Sequence, residues 1–478
     1  MLERRSSPGL AALVLALSST ASGGCGDDAS GSTAATVGGE TQAGDGDPSE
    51  SGSSGPGDGD PSGDGDPSGD GDPSGDGDPS GDGDPTGGVK FDTQVPDSGS
   101  GGSGCVGGNI CEDAEFSYIW IANSGQSTVT KLNTRTMVEE GRYWTRPDQG
   151  GSPSRTSVSV DGRAVAIANR EVGITKIWAD LDDCVDKNNN GVIDTSSGAN
   201  DVLPFADDEC IAWHTTFDGM TVQRPVAWTS GTYNEDTCVW EDQKIWTTTG
   251  SGGSPGQCGT NGIWVHRLDG ETGAVEDTVH IPHAQAPCTI GNIDWGLGPY
   301  GAAVDNDNNL WFYIWAQSKI VRVDYETLAY QVYSGGSYGI TVDSEGRPWD
   351  DVPRRFDPDT QTWASPIGNL PGSGGSGVAQ DLQGRIWKAT TGGVGWVDME
   401  TMQVGDTVLL PDGNVIYRGI AVDVDGFIWA IGLGGTTAHK IDPDTYEVTT
   451  YSGLNAPYTY SDMAGGQLSN VTCNEPQG

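Results

Sequence analysis

One stretch recurs through the second half of this chain and restricts its fold more than anything else does. The segment RGIAVDVDGFIWA (Arg418 to Ala430) reads as a short apolar strand, an acidic turn and a second strand carrying Trp429. The same pattern returns as YGAAVDNDNNLWF from Tyr300, YGITVDSEGRPWD from Tyr338 and SGVAQDLQGRIWK from Ser376. The tryptophans at 311, 349, 387 and 429 are separated by 38, 38 and 42 residues. A period near 40 with short strands and Gly/Asp turns is the signature of a β-propeller, with one four-stranded blade per repeat.

Aligning on the second-strand position gives seven repeats, at Trp120, Val165, Trp246, Trp311, Trp349, Trp387 and Trp429. A third strand follows each: KLN at Lys131, KIW at Lys176, RLD at Arg267, RVD at Arg322, RFD at Arg355, WVD at Trp396 and KID at Lys440. In five repeats an Asp-x-x-Thr turn then leads to a fourth strand, as at Asp442 to Thr445. The tryptophans are expected to pack between neighbouring blades. First strands start near Ser154, Arg224, Gly301, Gly339, Gly377, Gly419 and Ser461, so the first blade lacks one in front of it. The predicted fold is therefore all-β: a seven-bladed β-propeller in which the C-terminal strand completes the first blade, closing the ring and removing exposed edges.

The region before the repeats has another character. Residues 1–24 read as an export signal, with Arg4 and Arg5 ahead of the apolar run LAALVLALSS and small residues before Cys25. That cysteine fits a bacterial lipidation site, with Ser22 where an aliphatic residue is usual. Residues 25–104 are low in complexity. GDGDPS repeats from Gly57 to Pro85, and 18 acidic residues stand against one basic residue, Lys90. So little apolar material cannot offset the entropy of ordering, and a disordered acidic stalk is expected. As a flexible coil it would span roughly 50 Å, and charge repulsion would extend it. Residues 105–478 form the predicted propeller, with insertions at about 180–222 and 229–262.

The formal charge of −44 makes a nucleic-acid partner improbable, since a polyanion is repelled. The stalk takes −17 of it and the leader contributes +1, leaving about −28 for the propeller. Nine cysteines agree with an oxidising compartment. The expected location is exported: lipid-anchored at the outer membrane or cell surface, otherwise periplasmic or secreted. The membrane would be met only through the lipid, and the protein is expected to be a monomer.

Three sets of candidate site residues follow. Asp186, Asn188, Asn190, Val192 and Asp194 match the first nine positions of an EF-hand-type loop, with Gly191 at the turn and Ser197 in place of the bidentate Glu; they suggest structural Ca2+. Cys184 and Cys210 flank that loop and suggest a disulfide, and Cys238 and Cys258 similarly bracket the next insertion. Spacing does not pair Cys105, Cys111, Cys288 and Cys473. At the entrances of the first strands stand Arg155, Arg224, Tyr300, Tyr338, Arg418 and Tyr460, which propeller geometry gathers near the mouth of the central channel. Aromatic faces and guanidinium forks suit ligand binding, and none is a ready nucleophile. The five histidines form no metal or catalytic motif and read as surface or loop residues.

With repeats of the form xGIAVDxxGxIW followed by KIDPxT, residues 115–470 resemble the streptogramin lyase-like propellers, related to NHL-type repeats. In the lyases of that group the inner strands open with Pro-His-Gly, and Glu residues complete a magnesium-dependent acid/base site. Here Tyr300, Tyr338 and Arg418 stand at the place of that His, and Ile314 stands where an acidic residue is sought. The resemblance thus implies the fold and, for stalked members, an envelope binding protein. The expected function is a surface lipoprotein that binds or scaffolds a glycan or protein partner; the alternative is a lyase or hydrolase with a non-standard site in the channel.

Overall fold

The computed structural model describes residues 116–473, apart from 235, 238, 289–297, 373–374 and 414. The expectations for the leader, the stalk, Cys25, Cys105, Cys111 and Cys238 lie outside the described residues. Seven antiparallel sheets, each a meander, make a seven-bladed β-propeller. Six of them hold four strands in sequence order from the channel outward. Their innermost strands are Pro153–Val158, Val222–Trp228, Pro299–Val304, Ile340–Val342, Val378–Gln380 and Tyr417–Val422, in blades 2 to 7. Every residue of these six strands is buried, because each packs on the adjoining innermost strands as well as on its own sheet. The fourth strands are partly solvated, as in Val448–Ser452.

Blade 1 has only Tyr118–Asn123, Thr128–Asn133 and Glu139–Trp144 as strands. Its missing inner member comes from the C-terminus. Trp120 N donates to Met463 O at 2.8 Å, and Tyr458 N donates to Ala122 O at 3.2 Å. The closing segment is irregular, touching the next blade through a parallel bridge between Tyr460 and Arg155.

The repeat's chemistry explains its turns. In blades 4 to 7 the indole Nε1 of the tryptophan donates to a carboxylate six residues earlier: Trp311 to Asp305, Trp349 to Asp343, Trp387 to Asp381 and Trp429 to Asp423, at 2.7 to 2.8 Å. The other oxygen of each acid accepts the amides two and four residues on, at 2.9 and 2.8 Å for Asp381. One acid therefore shapes the turn and fixes the ring that fills the blade interface. Trp429 packs with Ile119 and Ile121 of blade 1, and Trp349 with Val378 and Ile386 of blade 6, as interblade packing requires. The Asp-x-x-Thr turns are built alike. Asp398 Oδ1 accepts both the amide and the hydroxyl of Thr401 at 2.7 Å.

Two expected insertions need redrawing. The first contains the fourth strand of blade 2, Ile211–Thr215, so the true excursion is 179–210. The second is two separate loops, because strand Lys244–Gly250 runs through it. Residues 229–243 carry a hairpin, Thr232–Asn234 with Val239–Glu241, and residues 251–262 leave by the opposite end of the blade.

One helix, α1 (Gly466–Cys473), follows the closing segment. It lies against the finishing ends of the innermost strands of blades 4 to 7, burying Leu468 and Val471. Asn470 Nδ2 donates to Gln380 O and Asn306 Nδ2 to Val471 O, both at 2.9 Å. The Asp462 carboxylate accepts from the amides of Gln467 and Leu468, at 3.1 and 2.9 Å, and so caps the helix start.

Candidate binding site

The six channel-mouth residues do come together at the starting ends of the innermost strands, but as a packed layer instead of an open funnel. All six are buried, from Arg155 at 0% exposed to Arg418 at 9%. Tyr300, Tyr338 and Tyr460 have ring centroids 4.6 to 6.1 Å apart. The guanidinium of Arg155 lies 3.1 Å from the centroid of the Tyr460 ring, Arg224 lies 4.5 Å from that of Tyr300, and Arg418 lies 5.0 Å from that of Tyr338. Arg155 Nε donates to Tyr300 O at 2.9 Å, and Arg418 Nη1 donates to Gly375 O.

Two further members escaped the repeat alignment. Tyr458 sits two residues before Tyr460 in the closing segment, and that spacing was a usable signal. Its hydroxyl is hydrogen-bonded to those of Tyr300, at 2.7 Å, and Tyr338. Arg170, just past the second strand of blade 2, carries its guanidinium 5.0 Å from the Tyr458 centroid; nothing in the repeat marks it.

The electrostatics are those of a buried cationic layer. Burial, and Arg224 beside it, push Arg155 down to about 9, so it stays charged at neutral pH. Burial raises Tyr300 to about 12 and Tyr338 well above the usual phenol. Burial opposes ionisation of Tyr458 too. The charges of Arg224 and Arg155, with hydrogen bonds from Tyr300 and Tyr338, nevertheless hold it below its ordinary value. Asp351, the acid in contact with this end, is turned to the backbone amides of Tyr338, Gly375 and Ser376.

The loop with the EF-hand-type spacing is satisfied as a turn. Asp186 accepts the amides of Asn190 and Gly191, at 3.2 and 2.8 Å. The side-chain amides of Asn188 and Asn190 both donate to Asp194 Oδ2 at 2.8 Å, while Val192 N donates to Asn190 Oδ1. Glu209, from beyond the loop, accepts the amides of Lys187, Asn188 and Asp194. Among the described residues no three His, Cys, Asp or Glu side chains are disposed to hold a metal ion. The calcium expectation thus rests on the spacing of the oxygens alone.

Cys184 and Cys210 are bonded across that loop as expected. Cys258 is bonded to Cys288, not to Cys238. Cys258 and Cys288 both lie in connections on the Arg/Tyr end of the ring, which brings them within reach of each other. His266 and His439 are buried instead of surface residues. The first contacts Thr249 and Thr278, the second Thr450 and Asp412.

No protein-family model matches the chain, and no curated protein matches it in sequence. Solved structures do. Catalytically inactive virginiamycin B lyase from Staphylococcus aureus, bound to quinupristin, is 15% identical with a TM-score of 0.43, over 70% of this chain and 88% of that one. A streptogramin B lyase structure is 15% identical at 0.43, over 64% and 86%. Dihydro-heme d1 dehydrogenase is 11% identical at 0.43, over 72% and 74%. The resemblance read from the repeats is to the first of these groups of propellers. The propeller assignment rests on the strand order, and likenesses at these values carry nothing on chemistry or substrate.

Proposed function

We propose that this protein is an exported propeller, anchored through Cys25 and held off the membrane by its acidic stalk, that binds a glycan or protein partner at the Arg/Tyr end of the channel. The observation that carries the reading is the convergence of Arg155, Arg170, Arg224 and Arg418 with four tyrosines at that end, in a region of about −28 charge. Charged forks and flat rings are groups of recognition. The two disulfides between described residues agree with export. Among the described residues no helix is long and apolar enough to cross a membrane.

Calorimetric titration of the full chain with envelope polysaccharides tests this. Saturable binding should weaken at least tenfold in Arg170→Gln, at the rim, and stay unchanged in Thr401→Ala, at the opposite end. Equal loss in both variants, or no binding, overturns the reading. One observation favours a second, enzymatic reading: the Tyr458 hydroxyl, hydrogen-bonded to those of Tyr300 and Tyr338 and with its ring facing Arg155 and Arg170, is a candidate base. Turnover abolished by Tyr458→Phe with binding retained would decide for it.

A further inference from the structure

Among the polar atoms at the Arg/Tyr end that are buried without a hydrogen-bond partner among the described residues are Nη2 of Arg155, Nε of Arg170 and the hydroxyl of Tyr460. They belong to side chains that touch one common group. The Arg155 guanidinium stacks on Tyr460, and both arginines face the ring of Tyr458, at 5.5 and 5.0 Å. Neither Arg155 nor Arg170 makes an ion pair among the described residues, and Asp351 is committed to backbone amides. A buried donor without an acceptor is strongly unfavourable, and a buried guanidinium without a counter-charge more so. Three such atoms within one cluster call for an acceptor that the described residues do not supply. Two of the donors are cationic, which favours an anionic acceptor over a neutral one. One guanidinium nitrogen from each of two arginines, with a phenol hydroxyl beside them, gives three donors, enough for the two oxygens of a carboxylate.

We propose that the Arg/Tyr end of the channel binds a carboxylate, held by Arg155, Arg170 and Tyr460 and attracted by the charge of Arg224. The proposal rests on the reading of this end as the binding face and narrows its ligands to acids. The carboxylate could be that of a sugar acid or the terminus of a polypeptide, and the two are separable. The full chain is titrated calorimetrically with galacturonate and with an N-acetylated dipeptide bearing a free C-terminal carboxylate. Galactose and the amidated dipeptide are the uncharged controls. Saturable binding of either acid and of neither control is expected, the tighter acid naming the source. Tyr460→Phe should weaken that binding about tenfold. Its Tm without ligand should equal or exceed the parent's, because the lost hydroxyl had no partner among the described residues. Arg170→Gln, at the rim, should weaken it at least as much. Binding of galactose as tight as galacturonate overturns the carboxylate assignment but leaves the binding face standing. Polysaccharide binding without binding of either acid does the same, and so does parental affinity for the acid in both variants. Failure of every probe, polysaccharide included, removes the binding face as well.

Discussion

In blades 4 to 7 the acid six residues ahead of the repeat tryptophan does more than end a strand. Asp423 accepts the indole of Trp429 with one oxygen and the amides of Asp425 and Phe427 with the other. Asp423→Ala leaves all three donors without that acceptor, and a loss of roughly 2–4 kcal/mol in denaturant unfolding is expected, with Asp423→Asn losing less than half as much. The spacing of Asp and Trp was legible in the sequence; their bond was not, because sequence gives no side-chain direction. Asp462 is a different case. Burial raises its pKa from 3.8 to about 6, against the amides it accepts. The folded state therefore favours the protonated acid. The stability this contributes is fully present below about pH 4 and is lost as pH rises through about 6. Asp462→Asn keeps the acceptor and does not titrate. Relative to that variant, the parent should lose on the order of 2–3 kcal/mol between about pH 4 and pH 7, read from unfolding curves across that range.

At the scale of elements, strands and their blades could be read from alternation and period, since every repeat restates them. What broke the period was harder to place. The second insertion divides in two because Lys244–Gly250, with Trp246, is an ordinary second strand between unequal loops. Helix α1 is eight residues with no apolar stripe of its own, and it is held by Asp462 and by the strand ends it covers. Nothing local in Gly466–Cys473 announces it. The pairing of Cys258 with Cys288 likewise depends on which end of the blade each loop leaves, which spacing does not encode. The Asp186 to Asp194 loop is testable as an element. Calcium at a hundredfold excess over its Kd should stabilise the protein by about 2.7 kcal/mol, seen as a rise in Tm. Asp186→Ala with Asp194→Ala should abolish the rise, and a parent Tm indifferent to both calcium and chelator rejects the ion.

For the whole molecule, ring closure and the convergence of the six channel residues were both legible, because seven repeats with displaced first strands admit few other arrangements. The depth of that convergence was not, since burial depends on how seven side-chain layers meet. Deleting residues 457–478 removes both the closing segment and α1, and the remainder should melt far below the parent. Deleting 466–478 alone should fall between them, and a Tm equal to the parent's in the larger deletion would disprove closure. The closing contact also sets an order of events during synthesis. Trp120 awaits Met463, some 340 residues later, so no partial product emerging from the ribosome can shut its own ring. Until residues 458–463 are made, the first blade stays a three-stranded sheet with an unpaired inner edge. A nascent or prematurely terminated chain is thus marked by that edge as unfinished, and the finished one hides it.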